Sequence, residues 1–242
     1  MMRAAWLTGL AVVLPFWPAL AGAPYSSDDP EPTAYGHFEV YVFESGALSR
    51  DGTEGESGID FNYGATPDLQ LTAVLPMAYT APEIGPSSAG LGNVELAAKY
   101  RFLHQDEFGL DVAVFPRVYL PSPEVGERHA SLFLPVWVER DWGAWSSFGG
   151  GGCSINRGGK SQDFCQLSWA LVREVAPGLK IGAEIVHQTP DSRGGRASSG
   201  LGAGVSYDLS ASFHVLAYAG PGIQNASQTG LLSWYTSLLF TF

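Results

Sequence analysis

Twelve charged side chains stand at the polar positions of alternating segments along the chain: Glu39, Asp60, Glu95, Lys99, Arg101, Asp111, Arg117, Glu139, Glu174, Lys180, Glu184 and Asp208. Eight are acids and four are bases. If the alternation turns them all to one interior, each must be paired or wet, because an isolated ion in a dry site is far too costly. Glu95, Arg117 and Glu184 fall near mid-depth, with Lys99 somewhat lower, and Glu95 and Lys99 are placed to meet Arg117 across neighbouring strands. Such a group can select solutes by charge and size at a polar constriction. The competing reading is an ion-paired plug that holds a narrow interior closed. Glu95, Lys99, Arg101, Arg117 and Glu184 are the candidate selectivity residues.

Other residue types offer less chemistry. Cys153 and Cys165 are the two cysteines, and in an exported chain an even count points to a disulfide, here closing a loop from Ser154 to Phe164. His37, His104, His129, His187 and His214 are scattered, with no GxSxG and no Ser–His motif, so no catalytic residue is assigned. A nucleophile assembled only in space is the alternative, a membrane-embedded hydrolase. SINRGGKS (Ser154–Ser161) lacks the first glycine of a phosphate loop, and no helix follows it. No spacing of His, Cys or carboxylates suggests a metal site, and no cofactor is expected. Asp51, Glu54, Glu56, Glu83, Glu124 and Glu127 make polar connections acidic, which reads as a solvated face or, less simply, as a surface-binding anchor.

The elements that must hold the charged set are strands. Gly90–Leu103 shows the cleanest alternation, Val94, Leu96, Ala98, Tyr100 and Phe102 opposing Asn93, Glu95, Ala97, Lys99 and Arg101. Similar segments run over Tyr35–Ala47, Ile59–Thr66, Leu69–Tyr79, Phe108–Leu120, His129–Trp142 and Trp145–Cys153. Cys165–Ala176, Leu179–Gln188, Gly200–Asp208, Phe213–Gln224 and Gly230–Phe242 bring the count to twelve. Connections alternate long (near 48–58, 82–89, 121–128, 154–164, 189–199 and 221–229) and short (near 67, 105, 143, 177 and 210). A single antiparallel transmembrane β-barrel of about 12 strands, with short periplasmic turns and longer outer loops, explains that alternation; a sandwich does not. Aromatics at the short-turn ends, Phe102, Phe108, Trp142, Trp145 and Tyr207, suit an interfacial girdle.

Composition and the chain ends agree. Arg3, an apolar run to Trp17 and Ala19-Leu20-Ala21 read as a signal peptide over residues 1–21, too short for the ~18–20 apolar residues of a spanning helix. Residues 22–34, small, acidic and proline-bearing, read as a flexible lead-in to a barrel over 35–242. Hydrophobic residues reach 45% and aromatics 12%. With no long apolar run in the mature part, a membrane protein must span as a closed barrel. Lys+Arg is 13 against Asp+Glu 24, a formal charge of −11, which argues against a nucleic-acid partner. In the last strand Leu232, Trp234, Thr236, Leu238, Phe240 and Phe242 share one strongly apolar face.

Two resemblances follow from these residues. GLLSWYTSLLFTF resembles the final strand of bacterial outer-membrane barrels, which implies Phe240 and Phe242 as an insertion signal read by the barrel-insertion machinery. GLGNVELAAKYRFL (Gly90–Leu103), with the Thr-Pro-Asp turn, the Leu-Pro-Met strand and the aromatic C-terminus, resembles the outer-membrane transporter family linked to the meta-pathway of phenol degradation. That resemblance implies passive diffusion of small molecules, aromatic or otherwise hydrophobic, through a polar lumen. It places the chain in the outer membrane, with lipid, lipopolysaccharide and a small-molecule solute as partners.

Overall fold

The computed structural model describes residues 24–122, 129–156, 158 and 161–242. The signal peptide expected over residues 1–21 lies outside them, as do Glu124 and Glu127. Fourteen strand segments make one antiparallel sheet. They are β1 (Phe38–Leu48), β2 (Gly52–Thr66), β3 (Leu69–Pro82), β4 (Ser88–Leu91), β5 (Val94–Leu103), β6 (Asp111–Val114) and β7 (Arg117–Leu120). There follow β8 (Ser131–Trp142), β9 (Trp145–Ile155), β10 (Phe164–Ala176), β11 (Leu179–Gln188), β12 (Ser198–Ser210), β13 (Phe213–Gln224) and β14 (Leu232–Thr241).

The sheet closes because β1 pairs with β2 on one side and β14 on the other, Val42 opposing both Ile59 and Leu238. β4 and β5 both pair with β3, and β6 and β7 both lie between β5 and β8, so each couple is one interrupted stave. The result is a twelve-stave barrel. The second interruption falls at Phe115-Pro116. Proline has no N–H to give the ladder, and Phe115 turns into the interior, 3% exposed. The displaced backbone stays bonded: Ala98 donates to the Pro116 carbonyl (3.2 Å) and Phe115 to that of Pro135 (3.2 Å).

Side chains alternate between two environments, as the strand period requires. Leu71, Leu75, Leu96, Trp169, Ile185, Leu201 and Leu238 are exposed on the outside, while Asn62, Gln70, Thr72, Lys99, Ser168 and Glu184 are buried within. An apolar exterior around a polar interior is the polarity of a bilayer-spanning barrel, whose backbone groups pair within the closed sheet. The protein is a β-barrel of the bacterial outer membrane. Among the described residues no helix is long and apolar enough to cross a membrane.

One boundary needs correcting. The polar stretch expected as a long loop near 48–58 is strand from Gly52 onward, leaving residues 49–51 as the connection. Glu54, Gly55 and Glu56 are poor strand formers alone, but β1 and β3 flank them and supply both ladders. The cysteine pair forms the expected disulfide, as a direct cross-strand bridge between β9 and β10.

Candidate functional site

The charged wall lies where β5 and β7 face the lumen. Glu95 and Lys99 project from β5 and Arg117 from β7, adjacent staves. Arg117 Nη1 lies 3.5 Å from Glu95 Oε1, and Tyr119, opposite Glu95 in the ladder, packs against the Phe115 cluster beside them. The Phe115 ring sits beneath the two cations, 5.1 Å from Lys99 Nζ and 4.1 Å from the Arg117 guanidinium, close enough for both to interact with its π face. Arg101 is not part of this group. It lies toward the inner turns, 3.7 Å from both Asp68 and Asp111.

The group is completed from an unexpected direction. Residues 24–34 do not trail free: they enter by the inner mouth, where Tyr35 bridges Gly64, and run up inside the barrel. Asp28 places Oδ1 2.8 Å from Lys99 Nζ and Oδ2 2.6 Å from Arg117 Nη2. Asp29 lies 3.6 Å from Lys99, which also donates to the Glu31 carbonyl at 3.2 Å. Lys99 and Arg117 are thus joined through Asp28. Nearer the inner mouth, the Thr33 N–H and hydroxyl both donate to Gln70 Oε1, at 2.8 and 3.1 Å.

The segment's other anchor is Glu184, 1% exposed on β11. Its carboxylate accepts the Ser26 N–H (3.0 Å), the Ser27 N–H (2.5 Å) and the Ser27 hydroxyl (2.7 Å). Around the ring β11 stands four staves from β7 and five from β5, close to the opposite wall. Residues 24–34 therefore cross the bore as a bar tied at both ends. The wall beside Glu184 is built to admit it. Tyr25 packs edge-on against Phe148 and Tyr218, with ring centroids 5.8 and 6.0 Å apart. A Cβ at Gly182 or Gly204 would lie 2.5 Å from the Tyr25 hydroxyl or 2.7 Å from its ring, so these two positions must be glycine for the ring to fit.

The space around the bar divides the lumen. A cavity of about 420 Å³ opens at the inner mouth, lined by His37, Phe38, Asp208, His214 and Phe242. One of about 380 Å³ opens at the outer mouth, lined by Asp51, Glu54, Thr80 and Gln228. Beside Asp28, Lys99, Asp60 and Phe115 lies a void of about 80 Å³. That accommodates a few waters and falls short of the roughly 300 Å³ typical of a small-molecule site.

Strand pairing does bring one histidine to a serine. His187 Nδ1 lies 2.8 Å from the Ser199 hydroxyl at the outer end of β11 and β12, on the lipid side. That hydroxyl donates to Gln224 Oε1 at 2.9 Å, so its proton points away from the imidazole that would have to remove it. Among the described residues no group of three His, Cys, Asp or Glu side chains is arranged to hold a metal ion.

Comparison with known proteins fits this architecture. The family described as "Putative MetA-pathway of phenol degradation" matches residues 38–240. The chain belongs to that family. The matched span is the barrel itself, and the bar precedes it. An outer membrane channel from Pseudomonas putida F1 superposes with a TM-score of 0.69 at 14% identity, covering 88% of this chain and 98% of that one. The KdgM porin, solved in complex with disordered oligogalacturonate, gives 0.58 at 9% identity, covering 85% and 99%. The NanC porin gives 0.57 at 8% identity, covering 84% and 98%. These likenesses show the fold. No curated protein matches the sequence.

Of the five candidate residues, Glu95, Lys99 and Arg117 come together, Glu184 anchors the facing wall and Arg101 stands apart. Sequence reasoning missed Ser26, Ser27 and Asp28, because residues 22–34 read as a flexible lead-in. The signal that could have found them is the small lumen wall opposite, Gly182, Gly202 and Gly204, which leaves a gap that something must fill.

Proposed function

We propose that the protein is an outer-membrane channel for small solutes, without a catalytic step, whose bore is held shut by residues 24–34 and opens when that segment withdraws. The observation that carries this reading is how the bar is held. Ion pairs and hydrogen bonds tie it across a polar lumen, with cavities of about 420 and 380 Å³ on either side of it. Polar contacts of this kind exchange for water at little net cost, since each protein hydrogen bond is worth only about 1 kcal/mol over its hydrated alternative. An apolar core plug would not exchange so readily.

The match to the family and the fold shared with channels and porins support the same reading. The family description favours aromatic solutes, and Phe115, Tyr119 and Trp137 cluster behind the charged part of the wall. Glu95, Lys99, Arg117 and Glu184 act as selectivity residues once the bar leaves. With acids outnumbering bases on the wall, small cations should pass more readily than small anions. Phe240 of β14 and Phe242 just beyond it serve insertion.

Single-channel recording in a planar bilayer tests the proposal. The mature chain should show long silent intervals broken by discrete, cation-preferring openings. A barrel shown to be inserted that never conducts, with or without residues 24–34, would overturn it.

A further inference from the structure

The place Asp28 occupies has the composition of a carboxylate receptor, and we infer that it is one: Lys99 and Arg117 form the lumen's binding site for a small carboxylate solute, and Asp28 is its tethered competitor. The use of the site in transport rests on the channel reading above; the binding does not.

Three observations carry the inference. Lys99 and Arg117 take different oxygens of one carboxylate, Nζ on Oδ1 at 2.8 Å and Nη2 on Oδ2 at 2.6 Å, so the group is held at both oxygens and oriented. Both cations are set by the Phe115 ring and Arg117 also by Glu95, so the cradle is fixed by the barrel and not by the segment that fills it. Arg117 Nε is buried with no hydrogen-bond partner, a donor still unused when Asp28 is in place.

Charge counting gives the solute's valence. With the segment docked, Lys99 and Arg117 face Asp28, Asp29 and Glu95. Asp28 and Asp29 leave with the segment, and Glu95 is then the one carboxylate left within ion-pair distance of the two bases, Asp60 and Glu39 lying farther around the same void. Within ion-pair distance the excess is one positive charge, so the site takes a single carboxylate. The acidic mouths set the preference for small ions in bulk flow. The cradle sets which larger solute pauses in the bore and keeps Asp28 from returning.

Binding of propionate to the detergent-solubilised mature protein, measured by isothermal titration calorimetry, tests the site directly. Propionamide, of the same shape and without charge, is the control. In the intact chain Asp28 competes from an effective concentration in the millimolar range. Asp28→Ala should therefore bind propionate about tenfold or more tightly than the parent, with no gain for propionamide. Lys99→Gln in the Asp28→Ala background should abolish the gain. Asp28→Asn keeps the segment's shape and should shift affinity the same way, which covers failure of the alanine variant to insert. Equal propionate affinity in parent and variant would overturn the inference, as would an equal gain for propionamide. Propionate binding in a barrel that never conducts would leave the receptor standing and refute only the channel reading.

Discussion

Replacing Glu184 with Gln removes the charge from one end of the bar while keeping the side chain's size. The wild-type carboxylate accepts three hydrogen bonds from Ser26 and Ser27, two of them on a single oxygen. The Gln carbonyl oxygen can keep only some of these, and the amide nitrogen faces donors it cannot accept from. Hydrogen bonds to a charged group contribute about 1.5–3 kcal/mol each, and the released wild-type carboxylate regains water. A net loss on the order of 3 kcal/mol follows, shifting the docked-to-released ratio by roughly 150-fold. Glu184→Gln should conduct for most of a single-channel recording where the parent is mostly silent. Hydrogen exchange should show loss of protection at the Ser26 and Ser27 amides, with the strand ladders of β10–β12 unchanged. Parent-like silence together with parent-like protection of those two amides would refute the account of how the bar is held.

Other substitutions probe separate parts of the structure. Gly204→Val places a side chain where the Tyr25 ring lies and should expel it, exposing residues 24–34 to a protease that leaves the barrel intact. Leu238→Arg puts a charge on the lipid face between Val42 and Val215, at a cost of about 2–4 kcal/mol, and should lower the folded fraction in a bilayer titrated with urea. Reducing Cys153–Cys165 releases a loop of separation 12 and should remove about 2–3 kcal/mol of stability, read as a lower unfolding midpoint, with conductance unaltered.

Much of the barrel was legible because its signals are local. The alternation of Val94 to Phe102 against Asn93 to Arg101 placed every side chain of β5 on the face it occupies, since the strand period is fixed by backbone geometry. The twelve staves, the disulfide and the association of Glu95 with Arg117 followed from strand order and pairing. The Gly52–Ser57 ladder did not, because tertiary pairing outweighs the weak strand propensity of Gly and Glu. The interruption at Phe115-Pro116 was readable in the proline, although its consequence, an aromatic platform inside the lumen, was not. The bar was hidden for a different reason. Its composition is that of a disordered segment, and its order depends on partners more than sixty residues away in sequence, Lys99, Arg117 and Glu184.

The most direct test of a channel closed from within is to compare single-channel currents from the mature chain with those from one beginning at Tyr35. The account predicts mostly silent traces from the first and sustained, discrete conductance from the second, with the same apparent size and insertion on a gel. Equal currents from both, or silence from both, would contradict it.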